Sequence, residues 1–67
     1  MNIGYIALTF TGKELELQVC RSAAGFYVGT MDPMLGPVSR ESQEYYRTHE
    51  EAMSALDNDT FTQREYP

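Results

Sequence analysis

One cysteine, Cys20, and one histidine, His49, are the only soft metal ligands in the 67-residue chain. A single thiol excludes a disulfide within the chain. Two soft ligands fall short of the four that a structural zinc usually takes, so no metal and no cofactor are expected. No apolar run approaches the roughly 20 residues that a membrane-spanning helix needs. Residues 1–10 have neither a basic start nor a small-residue cleavage site. With the lone thiol, that reads as a cytoplasmic protein without a signal peptide. Asn58-Asp59-Thr60 matches a glycosylation acceptor, but in that compartment it reads as a turn.

Basic residues are also scarce. Five Lys and Arg face ten Asp and Glu, giving a net charge of −5. Such a balance favours solubility and opposes direct binding to a phosphate backbone, so a nucleic-acid partner is disfavoured. An acidic surface suits a protein partner instead. A chain this short forms one domain, residues 1–67, and buries only about 60% of its unfolded surface. Small domains add disulfides, metals or oligomerisation to compensate. With the first two excluded, a homodimer is the expected remedy.

The hydrophobic pattern predicts an α+β fold. Ile3 to Phe10 is uncharged and rich in β-branched and aromatic residues, and reads as a strand apolar on both faces. Thr11-Gly12-Lys13 reads as a hairpin turn. Glu14 to Val19 alternates, with Leu15, Leu17 and Val19 inward and Glu14, Glu16 and Gln18 outward. Ser22 to Gly25 is a second turn, and Phe26 to Thr30 a third strand with Phe26 and Val28 buried. Asp32-Pro33 and Gly36-Pro37 bracket a loop. Met31, Met34 and Leu35 in it read as a partner patch or as a plug for one end of the core.

Thr48-His49-Glu50-Glu51 fits the capping box T-x-x-E, in which the Thr48 hydroxyl and the Glu51 carboxylate reciprocally satisfy backbone donors. An amphipathic helix follows, ending at Asp57-Asn58, with Ala52, Met53, Ala55 and Leu56 on its apolar arc. Thr60 to Arg64 reads as a further edge strand. The predicted order is β-β-β-α-β: a three- to four-stranded antiparallel sheet with one helix on one face.

Catalytic signals are weak. His49 lacks a defined partner and reads as a packing residue at the helix edge. Cys20 beside Arg21 lacks an oriented base and reads as structural. Asp57-Asn58-Asp59 lacks the glycine and glutamate of a calcium loop, and Gly12-Lys13 lacks the rest of a phosphate loop. The five tyrosines are the stronger signal. Tyr5 and Tyr27 fall on strand faces away from the predicted helix, where aromatics serve protein contact or stack on single-stranded nucleic acid. The four arginines look dispersed among twice as many acids, which favours protein contact. Ser39 to Arg47 has no apolar period and reads either as a polar crossover or as a recognition loop carried by Arg40, Tyr45, Tyr46 and Arg47.

The stretches GFYVGT, GPVSRES, EYYRTHEEAMSAL and FTQR together resemble short uncharacterised single-domain proteins of proteobacterial genomes and mobile elements. That resemblance implies no activity. A weaker likeness is to the β-β-β-α arm-binding domains of phage integrases, whose basic sheet face this sequence lacks. The expectation is a non-enzymatic protein-interaction module, homodimeric through the tyrosine-bearing face or through the first strand. The alternatives are an accessory nucleic-acid binder of a mobile element and an acidic inhibitor or mimic of a basic host protein.

Overall fold

The structure, a computed structural model, describes residues 2–67. Its elements run α1 (Tyr5–Thr11), β1 (Gln18–Ser22), β2 (Gly25–Asp32), β3 (Gly36–Arg40) and α2 (His49–Asp57). It is an α+β fold with one three-stranded antiparallel sheet, ordered β1-β2-β3.

The first departure from expectation is α1, which occupies the predicted first strand. Ile6 and Ala7 turn inward and Tyr5, Leu8 and Thr9 outward, a division that suits a helix and not a strand. Gly12, left-handed at φ 74°, ends the helix by donating to the Leu8 carbonyl at 3.0 Å. The glycine read as a hairpin turn is therefore a helix stop. The predicted antiparallel pairing survives only at its far end. Ile3 bridges Glu16, Gly4 N–H donates to Leu15 at 2.9 Å, and Leu17 N–H donates to Asn2 at 2.9 Å.

The alternation from Glu14 to Val19 holds, with the glutamates exposed and the aliphatics half-buried. Regular pairing begins only at Gln18, where β1 meets β2 in the register Val19↔Val28 and Cys20↔Tyr27. Ala23 and Ala24 form the tip of the hairpin. Gly25 follows at φ 132°, where an added Cβ would lie 2.8 Å from the Tyr46 carbonyl oxygen. A side chain there meets both strain and a clash.

The bracketed loop proves to be a second hairpin. β2 runs on to Asp32, whose Oδ1 accepts from the N–H groups of Met34 (2.7 Å) and Leu35 (3.1 Å), and β3 returns from Gly36. This side-chain turn is a physical use of Asp-Pro that favours reversal. Met34 at the tip is 90% exposed, so the tip residues do not plug the core.

After β3 the chain stays beside β2. The N–H groups of Glu41 and Ser42 both donate to Val28 O, and Tyr46 exchanges two backbone hydrogen bonds with Phe26. The predicted tail strand reduces to one bridge, Ser42↔Gln63, flanked by single hydrogen bonds from Gln43 to Thr62 and from Arg64 to Glu41. α2 starts and ends where the sequence places it. It packs on β1 and β2 through Ala52 and Ala55, while α1 lies against β3. Met53, predicted to be buried, is exposed, and Leu56 is half-buried. Small residues on the inner face let the helix lie close to the sheet and leave the larger ones at the rim.

Candidate site: an arginine–tyrosine surface and its buried support

The polar stretch from Ser39 to Tyr46 supplies both the support and part of the surface. Glu41 is fully buried. Its Oε1 accepts from Ile6 N–H at 2.9 Å and the Gln63 amide at 2.8 Å. Its Oε2 accepts from Ala7 N–H at 3.1 Å and the Ser39 hydroxyl at 2.5 Å. The carboxylate thus caps α1, whose own N-cap residue Gly4 has no side chain to do so. Negative charge there also suits the helix dipole. Gly4 must remain glycine, because an added Cβ would lie 2.8 Å from Glu41 Oε2 and still nearer Thr30. Burial opposes ionisation of Glu41. The Ser39 hydroxyl, Ile6 N–H, Gln63 amide and Ala7 N–H outweigh it and hold the carboxyl below its usual range.

Ser42 is buried too. Its hydroxyl accepts from Val28 N–H at 3.0 Å and donates to Glu44 O at 2.9 Å. Glu44 accepts from the Thr62 N–H and hydroxyl. Burial pushes its carboxyl up, and the Thr62 bonds reverse that and leave it lowered. No buried side-chain polar atom is left without a partner among the described residues. Sequence reasoning missed Ser39, Glu41, Ser42 and Gln63 as structural residues. Their partners lie on elements distant in sequence, so no local pattern reports them.

This frame displays Tyr45. Its ring meets Tyr27 edge-on at 5.9 Å, and the Arg40 guanidinium sits 4.5 Å above it. Tyr27, expected on an open face, is only 7% exposed and acts as the floor beneath Tyr45. Burial raises its phenol, and neighbouring Cys20 adds to that. Cys20 is buried, and burial pushes its thiol up despite a bond with Tyr27. The structural reading of Cys20 fits this setting. His49 packs edge-on against Phe26 at 6.0 Å, at the helix edge as expected.

On one side of Tyr45 an open groove is lined by Arg21, Phe26, Tyr45, Tyr46 and Arg47, with the β1–β2 turn closing its end. No carboxylate lines it. Arg21 rests over the Phe26 ring at 5.6 Å. Arg40 and Arg64 line a second groove with Gln43, Glu65, Tyr66 and Pro67, so that groove carries an acid as well. The four arginines look dispersed along the chain, but the fold sets Arg21 and Arg47 in the groove beside Tyr45 and Arg40 over its ring, while Arg64 lies further out and donates to Arg40 O at 3.4 Å. The one ion pair among the described residues is Lys13–Asp32 at 3.7 Å, so none of the four is paired with an acid. Tyr46 borders the first groove and also an acidic one lined by Glu44, Glu50 and Glu51. Burial raises its phenol, and Glu44 raises it further.

Of the residues expected to contact a partner, Arg40, Tyr45, Tyr46 and Arg47 come together, with Tyr27 beneath them. Tyr5 stands apart on α1. The cap is where it was expected: Glu51 N–H donates to Thr48 Oγ1 at 3.1 Å. The reciprocal contact runs from the Thr48 hydroxyl to Glu51 Oε1 at 3.4 Å instead of from the Thr48 N–H. Among the described residues no three His, Cys, Asp or Glu side chains converge as a metal site, and no helix is long and apolar enough to cross a membrane. The chain matches no family model, no curated protein and no solved structure.

Proposed function

We propose that the chain is a non-enzymatic protein-interaction module and that the groove between Arg21 and Arg47 holds an acidic segment of a partner protein. One observation carries this reading. In a chain with twice as many acids as bases, the groove beside Tyr45 holds Arg21 and Arg47 and no carboxylate, Arg40 lies over the Tyr45 ring, and none of the three is ion-paired with an acid among the described residues. Guanidinium groups offer a planar fork that fits carboxylates. Arg21 and Arg40 are already held on aromatic rings, so less side-chain entropy is lost when a ligand arrives. Arginine and tyrosine are also the residue types that dominate interface energetics.

Single-stranded nucleic acid would use the same rings and cations, and it is the second reading. The charge pattern favours a short acidic peptide over it. A longer polyanion leaves the groove and meets surface acids, beginning with the Glu44, Glu50 and Glu51 groove across Tyr46. That acidic groove is where a basic host protein would bind if the chain were a mimic.

Fluorescence anisotropy with three labelled probes separates the readings: a Glu/Asp-rich peptide, an oligothymidylate and a Lys/Arg-rich peptide. The acidic peptide is expected to bind best and to weaken with salt. Arg21→Ala and Arg47→Ala are each expected to lower its affinity about tenfold, the effect of roughly 1.4 kcal/mol. No binding of the acidic peptide at 20 mM salt (about a 20 Å Debye length), or wild-type binding by both variants, sinks the proposal.

A further inference from the structure

The outer edge of β1 has no role yet. Backbone groups along a strand point to alternate sides, and the bonds of β2 show which side each residue of β1 uses. Phe26 exchanges both its backbone bonds with Tyr46, and Val28 O accepts from Glu41 and Ser42 N–H. Both residues thus turn their backbone groups away from β1. Their partners in the register, Arg21 and Val19, turn theirs to the outer edge, while Cys20 and Ser22 point inward to β2. Among the described residues no backbone group pairs with Val19 or Arg21 on that edge.

One step along, the same edge is already in use. Leu17 N–H donates to Asn2 O, Leu15 O accepts from Gly4 N–H, and Ile3 bridges Glu16 in the antiparallel sense. Residues 2–4 therefore begin a fourth strand that covers the edge at Leu15 and Leu17 and stops short of Val19 and Arg21. Only another extended backbone continues such a row. On the face of Arg21 the edge carries the half-buried Leu15, Leu17 and Val19 and ends in the arginine. The Arg21 guanidinium lies over Phe26 and is ion-paired with no acid among the described residues.

We infer that an acidic segment of a partner protein adds here as an antiparallel strand, in line with residues 2–4. This rests on the reading of the Arg21 groove as the seat of an acidic segment, and it gives that segment a backbone register. The residues opposite Arg21 and Val19 each exchange two backbone hydrogen bonds with β1. Their side chains share the face of Arg21 and Val19, so the pattern recognised is acid-x-aliphatic, read from the N-terminus. The carboxylate meets the guanidinium and the aliphatic group covers Val19. Glu16 projects from the opposite face of the strand and does not confront that carboxylate.

Amide hydrogen exchange followed by NMR, on the intact chain with the blocked peptide Thr-Glu-Thr-Val-Thr, tests it. In the free chain the Val19 and Arg21 amides should exchange at least about tenfold faster than those of Cys20 and Ser22, and saturating peptide should slow them about tenfold. N-methylation of the peptide's glutamate or valine should each cut affinity about tenfold. N-methylation of the threonine between them, whose N–H faces away from β1, should be tolerated. Replacing the glutamate by glutamine should weaken binding about threefold. Equal losses from all three N-methylations, or no slowing at Val19 and Arg21, overturn the strand register. Binding that still needs Arg21 and Arg47 would then leave the groove reading standing. Equal affinity of the glutamine peptide overturns the acid preference at Arg21. If no acidic peptide binds by exchange or by anisotropy, both readings fall. Slowing of Val19 and Arg21 that grows with protein concentration alone assigns the edge to a second copy and also overturns the inference.

Discussion

Replacing Glu41 by glutamine keeps the shape of the side chain and removes its charge, so it isolates what the buried carboxylate does. The carboxylate receives four donors, two on each oxygen. Glutamine can keep one oxygen for Ile6 N–H and the Gln63 amide. Its NH2 group must then face Ala7 N–H and Ser39. The Ser39 hydroxyl can rotate to accept, and it already has an alternative partner in Thr30. Ala7 N–H cannot rotate and is left opposite another donor. A buried donor without a partner costs about 1–3 kcal/mol, and the retained bonds lose their charge assistance. Relief from burying a charge offsets part of that. The net expectation is a loss of about 2 kcal/mol at pH 7, from a total of roughly 3–10 kcal/mol for a domain of this length.

Urea denaturation reads this directly. With a slope of about 1 kcal/mol per molar, the midpoint should fall by about 2 M. The effect should depend on pH in a defined direction. The folded state holds the Glu41 carboxyl below its usual value near 4.5. Its contribution is therefore present above that value and lost as pH falls through the lower, folded-state value. Once protonated, the wild-type carboxyl resembles the amide, so the gap between the two proteins should narrow below about pH 4. Asp32 and Glu44 are lowered too, but they occur in both proteins and cancel in the difference. Equal midpoints at pH 7, or a gap of the same size at pH 7 and pH 2.5 (on either side of the carboxylate range), would refute the account of Glu41 as an ionised cap.

Gly4→Ala should destabilise by about 1–3 kcal/mol, because the new methyl group displaces Thr30 and the Glu41 carboxylate. Thermal unfolding measures it, and an unchanged midpoint would show that the approach is not tight. Thr48→Ala should lose about 1 kcal/mol with the α2 cap, and Thr48→Asn should restore most of it. If Thr48→Ala is neutral in urea titrations, the cap carries no stability. Cys20 should react slowly with a thiol reagent at pH 8 and become fast in denaturing urea, since burial both hides the thiol and raises it. Rapid reaction of the folded protein would show that the β1–β2 hairpin opens readily.

Legibility from sequence followed the range of the interactions. α2 was readable because its cap, its first-turn acids and its apolar arc lie within ten residues of one another. The β1–β2 hairpin was readable at its turn and along β2, while the alternation over 14–19 overlaps β1 only at Gln18 and Val19. α1 was not, since its uncharged run suits a strand or a helix and its capping carboxylate is 34 and 35 residues away. Gly12 was the one local hint, and it fits a turn equally well. The candidate surface was half legible. Arg40, Tyr45, Tyr46 and Arg47 stood out as polar and aromatic groups without a periodic role. Arg21 joins them only because β1 pairs with β2, and Tyr27 turns from contact to floor because Tyr45 folds over it.

The sequence by itself determined an acid-rich chain with no internal disulfide, an antiparallel strand around Phe26 to Thr30 and the capped helix at His49 to Asp57. Composition and local periodicity suffice for those, because each rests on neighbours along the chain. The tertiary structure alone decided that residues 5–11 form a helix, that Gly36 to Arg40 pair as a strand and that Arg21, Arg40 and Arg47 gather round Tyr45. The segment Ser39 to Ser42, with Glu41 and Ser42 fully buried, meets α1, β2 and the tail at once. A carboxylate can be drawn that far from water only where several distant elements bring their donors to it together.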